Sequence, residues 1–73
     1  MTLTDELCGK MADELQDARS YAQMALAHRE DHPELARVLH EISLEEMGHF
    51  NRLHAEVVKI ADEIKRTQDK LDA

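Results

Sequence analysis

From Leu35 onward, apolar residues recur in steps of three and four: Leu35, Leu39, Ile42, Leu53, Val57, Ile60 and Ile64. That spacing draws one face of a helix. Two polar residues, Glu46 and His49, stand on the same row, where apolar side chains are expected. Upstream, Cys8, Met11, Leu15, Ala18, Ala22 and Ala25 alternate by three and four, as in a bundle seam, and the alanines let a neighbouring helix approach closely. Between the two patterns lies Arg29-Glu30-Asp31-His32-Pro33. Pro33 suits the first turn of a new helix, where its missing N–H costs nothing, with Asp31 or His32 as the cap. Thr2 or Thr4 can cap the first helix, with Asp5 and Glu6 near the positive end of its dipole.

The pattern predicts an all-α chain forming one unit over residues 1–73. Its first helix covers about 4–28, its turn about 29–33 and its second helix about 34–70. So short a turn makes the pair an antiparallel hairpin. The second helix outruns the first, so Ile60, Ile64 and Leu71 stay wet unless another protomer covers them. Each hairpin also keeps an apolar flank that includes Met47, Phe50 and Val57. Two hairpins packed face to face would close a four-helix bundle, most simply with twofold symmetry.

Composition narrows the possibilities. A chain of 73 residues buries too little surface to be comfortably stable alone and needs a disulfide, a metal or a partner subunit. Cys8 is the single cysteine, so no disulfide can form within the chain, and a four-cysteine iron site is excluded. Cys8 itself is expected to pack as a small apolar residue. The net charge of -7 argues against nucleic acid as a partner, because phosphate binding needs a basic face. No apolar run is long enough to span a membrane and no charged-then-apolar leader opens the sequence, so the expected location is cytoplasmic.

The interruption of the apolar row carries the chemistry. A carboxylate and an imidazole on a buried face lose their water and need strong partners, which a metal ion supplies. Glu46-Met47-Gly48-His49 has the Glu-x-x-His spacing that aims two ligands inward from adjacent helical turns. Counted back from the turn, Glu14 on the first helix reaches the same depth. It adjoins the seam residue Leu15, on the flank of Leu7 and Tyr21. Oxygen donors plus one nitrogen suit iron or manganese, and the lack of thiolates argues against structural zinc. Glu45 is a rival to Glu46, since a spacing of four to His49 is also feasible. Gly48 points to close helix approach, room beside a metal, or tolerance at a surface. His54 can line an interface, and His28 and His32 gather with Glu30 and Asp31 at the turn. His40 reads as polar surface, as do Asp13 and Asp17, which also suit an access path for iron.

Over about residues 7–58 the chain resembles the ferritin-like di-iron carboxylate proteins. Glu14-Leu15-Gln16-Asp17-Ala18-Arg19-Ser20-Tyr21 looks like the first-helix pattern of rubrerythrins, and Glu45-Glu46-Met47-Gly48-His49 looks like the second-helix motif. Only one half of such a bundle is present, so the likeness is to half-size ferritins of the encapsulated type, in which two chains complete the site. The resemblance implies Glu14 as a largely terminal ligand, Glu46 as a bridging ligand and His49 as a terminal nitrogen ligand. It places Tyr21 beside them, bonded to a ligand or tuning electron transfer. It further implies two iron ions per homodimer, with manganese or another divalent metal as an alternative, and allows higher homo-oligomers. Encapsulated ferritins end in a cargo tail of small, apolar and basic residues. Thr67-Gln68-Asp69-Lys70-Leu71-Asp72-Ala73 departs from that pattern, so a nanocompartment shell stays open as a partner.

The expected function is therefore ferroxidase-like: binding of two Fe(II) ions and their oxidation by O2 or H2O2. The alternatives are a non-catalytic helical dimerisation or adaptor module, in which Glu14, Glu46 and His49 form a hydrogen-bond network, and a rubrerythrin-like peroxide reductase.

Overall fold

Thr2 opens the first helix with a reciprocal cap. Its hydroxyl accepts the backbone N–H of Asp5 at 3.1 Å, and the Asp5 carboxylate accepts the Thr2 backbone N–H at 3.2 Å. In the computed structural model, which describes residues 1–72, the helix α1 then runs Leu3–Ala27. His28 ends it, giving its backbone N–H to the Met24 carbonyl at 3.1 Å. Residues 28–32 make the turn, closed by a bond from the His32 N–H to the His28 carbonyl at 2.9 Å. Pro33 is the first residue of the helix α2, Pro33–Asp72, and the His32 carbonyl accepts the Ala36 N–H. No backbone in the turn is left-handed among the described residues. There is likewise no strand among them, so the architecture is all-α.

The two helices pack along most of α1. Its inward row is Thr4, Leu7, Met11, Glu14, Ala18, Tyr21 and Ala25, each buried or half-buried. The facing row on α2 is Ala36, Leu39, Ser43, Glu46, Phe50, Leu53, Val57 and Ile60. Both rows alternate by three and four without a break, as a supercoiled seam requires. Ala25, Ala36 and Leu39 form the tightest cluster, beside the turn, with Tyr21 packed against it.

This register corrects the face expected from sequence. Cys8 is exposed rather than packed, and Ala22 is exposed too. On α2 the row lies one position round from the expected one at several turns. Leu35 is 51% exposed, and Phe50 belongs to the seam, not to an outer flank. The physical reason is close approach. Ala36 and Ser43 are small enough to let the α1 backbone come near, so they take the centre in place of Leu35 and Ile42. Phe50 is half-buried and carries the His54 ring stacked on it, with centroids 6.3 Å apart.

The hairpin is a thin object. It measures 63 × 19 × 11 Å, with a radius of gyration of 17.7 Å where a compact chain of this length has about 11 Å. It exposes 5922 Å², against about 4,600 Å² for a compact monomer of its mass. No large side chain among the described residues is fully buried. The difference is of the order of one subunit's share of a protein interface. The α2 helix also continues about 20 Å past the start of α1, because it has 40 residues against 25.

Gly48 has open space where a Cβ would stand, so nothing within the protomer requires glycine there. Gly48→Ala is expected to raise stability in chelator by about 1 kcal/mol, read by denaturant unfolding, through helix propensity alone. A loss of stability would mean that another chain approaches this backbone.

Candidate metal centre

Glu14 comes from the middle of α1, Glu46 and His49 from successive turns of α2. Their ligand atoms all lie within 4.8 Å of one another, the one such group of three among the described residues. His49 Nδ1 and Glu14 Oε2 are 3.3 Å apart. Glu14 and Glu46 both occupy the seam, half-buried, while His49 sits one step outside it with its side chain 53% exposed. The expectation that His49 is buried on the central row is thereby corrected. Its place is the rim, from which the ring folds back towards Glu14.

Position in the seam sets the electrostatics. The hydrogen bond between the two carboxyls pushes Glu46 above the usual carboxylate range, with burial and the negative charge of Glu14 adding to the rise. The same bond lowers Glu14; desolvation opposes this, and the nearby His49 and Lys10 help it. One proton held on Glu46 and offered to Glu14 accounts for both shifts.

The sign of the pH effect follows. A carboxyl raised in the folded state stabilises the fold while protonated, and that contribution is lost as pH rises through its raised value. Glu14 works oppositely, its contribution being lost as pH falls through its lowered value. Glu46→Gln keeps a donor towards Glu14 at every pH. In chelator its thermal midpoint is expected to match the parent at acid pH and to exceed it increasingly as pH rises. A constant difference across pH would refute the shared proton.

The donor set fits a hard or borderline divalent ion. Ligands on one ion at about 2.0–2.2 Å lie roughly 3–4 Å from each other, so small side-chain adjustments bring these three onto a common centre. An open groove of about 360 Å³ adjoins them, lined by Glu14, His49, Arg52, Leu53 and Glu56. The hairpin thus brings three possible donors together beside an open groove.

Arg52 and Glu56 were not singled out from the sequence; their spacing of three and seven from His49 is the signal that places them on its ridge. Glu45 is exposed and outside the group. Tyr21 is half-buried one heptad from Glu14, packed on the cluster beside the turn, and no hydrogen bond among the described residues involves its hydroxyl. At the turn, His28 Nδ1 lies 3.2 Å and His32 Nε2 3.8 Å from Asp31 Oδ2, all three exposed. His40, Asp13, Asp17 and His54 are also exposed.

No helix among the described residues is long and apolar enough to cross a membrane. No family model, curated protein or solved structure matches this chain.

Proposed function

We propose that the protein binds two Fe(II) ions at a site shared by two copies of the chain and oxidises them, as a ferroxidase-like enzyme. The observation that carries this reading is the convergence of Glu14, Glu46 and His49 at one level of the hairpin. Two copies double the set to four carboxylates and two imidazoles. Iron here is substrate. Two Fe(II) ions each lose one electron, and O2 takes up both electrons and two protons to leave as hydrogen peroxide. With H2O2 as oxidant, the same two electrons and two protons yield two waters.

The chain's own groups have defined parts in this. An ion competes with protons for Glu46, whose carboxyl is raised by Glu14, and the carboxylates hold the more highly charged ferric product better than the ferrous one. His49, on the rim, keeps one nitrogen donor at the open side. The ligands ride on helices, which keep their spacing while carboxylates change their mode of binding.

One observation favours a second reading. The Glu14–His49 contact, with the neighbouring carboxyl of Glu46 raised by Glu14, gives these groups partners without any ion. They would then be the polar centre of a non-catalytic dimerisation module. Anaerobic Fe(II) titration followed by O2 separates the two. The ferroxidase reading expects saturable binding near one Fe per chain, then ferric absorbance growing in step with O2 consumption. Absence of both leaves the module.

A further inference from the structure

His28, Asp31 and His32 gather at the turn, outside the Glu14–Glu46–His49 centre, and the ferroxidase reading makes no use of them. Local backbone geometry sets them there. The His32 N–H donates to the His28 carbonyl at 2.9 Å, so residues 28–32 close like one turn of helix. Positions 28, 31 and 32 then fall on a common face. One carboxylate oxygen, Asp31 Oδ2, consequently stands 3.2 Å from His28 Nδ1 and 3.8 Å from His32 Nε2. The two rings are tilted by 52°, with centroids 6.0 Å apart. Two imidazoles on one tetrahedral ion have centroids roughly 5 Å apart. Rotation of these exposed side chains is enough to close the set.

We propose that the turn is a second metal site, in which His28, Asp31 and His32 hold one borderline divalent cation of the zinc class. It shares no residue with the first centre and is independent of the ferroxidase reading. Donor chemistry separates the two. Glu14, Glu46 and His49 offer two carboxylates and one imidazole, whereas the turn offers two imidazoles and one carboxylate. The nitrogen-richer set favours ions late in the first transition row over manganese. It also matches the donors of open zinc sites, where three protein ligands leave the fourth position to water. Exposure of all three side chains leaves room for that water. Charge is compatible as well. The chain carries a net -7, and Arg29, the cation nearest in sequence, lines a separate groove with Leu26, Pro33 and Arg37.

Position gives such an ion a mechanical consequence. His28 is the C-cap of α1, and His32 immediately precedes Pro33, where α2 starts. An ion held by both ties the two helix ends together. The tightest packing of the hairpin, Ala25 with Ala36 and Leu39, lies beside that turn. Binding at the turn therefore stabilises the folded hairpin, since the unfolded chain holds no such preformed set.

Glu46→Ala, which takes a ligand from the first centre, is the background for the test. Calorimetric titration with Zn(II) is expected to saturate at one ion per chain. His28→Ala and His32→Ala should each weaken it at least about tenfold, while His40→Ala leaves it unchanged. Zinc should shift the imidazole nitrogen resonances of His28 and His32 and leave those of His40 and His54 in place, a readout that needs no substitution at the turn. Zinc should also raise the thermal midpoint, and adding His32→Ala should remove that rise with helical circular dichroism retained. Mn(II) in about tenfold excess should not displace the zinc. Saturation at half an ion per chain would mean that zinc merely bridges two chains, and it overturns the proposal. Equal affinity after either turn substitution, or unmoved His28 and His32 resonances, overturns it too. None of these failures touches the first centre, which Mn(II) titration of the parent chain reads separately.

Discussion

Glu46→Ala is expected to abolish divalent metal binding, whereas Glu45→Ala keeps most of it. The neighbouring carboxylates differ in environment, not in chemistry. Glu46 lies in the seam, level with Glu14 and His49, and its carboxyl is raised above the usual range by its neighbour Glu14. Glu45 points to solvent. Truncating Glu46 removes one of two carboxylates per chain and leaves Glu14 with the imidazole alone, too few donors for a hard ion. Isothermal titration with Mn(II), which avoids oxidation, reads both variants. His49→Ala should bind more weakly, with helical circular dichroism retained, because the ring sits on the rim and supports no packing. Equal losses for the two glutamates would mean that the seam does not select the ligand.

The second large effect is the dependence of stability on metal and on protein concentration. Among the described residues a single hairpin buries only Met11, Ala18, Ala25, Ala36, Leu39 and Ser43. On the shared-site reading, dilution in chelator should therefore cost helix content, since one hairpin alone has too little core to stay folded. At a hundredfold excess over Kd, a metal that binds only the assembled form adds about 2.7 kcal/mol. For a unit of this size that corresponds to a rise of roughly 10–20 °C in the thermal midpoint. Sedimentation and thermal melts over a range of protein concentrations read both effects. A monomer that melts at the same temperature at every dilution, with or without metal, would contradict the shared site.

Much of this arrangement was legible from local rules. The capping residues Thr2 and Asp5, the break before Pro33 and the density of helix formers gave both helices to within a residue or two at most ends. Depth along a helix is simple arithmetic at a fixed rise per residue, so the sequence alone matches Glu14 to Glu46 and His49. Rotation about the helix axis was less secure. Leu35 and Ala36 are neighbours on the surface of α2, as are Ile42 and Ser43, and hydropathy alone favours the larger apolar member of each pair.

That choice belongs to packing. Two helices approach most closely where side chains are small, and the alanines of α1 find Ala36 and Ser43 there. The seam rotates accordingly, Glu14 and Tyr21 move into it, His49 moves to the rim, and Leu35 is released to the outer face. The chain's own residues thus determined that there are two antiparallel helices with three donors at one depth, because helix formation and rise are local properties. Only the tertiary structure decided which side of each helix faces inward, because that depends on how near another backbone can come.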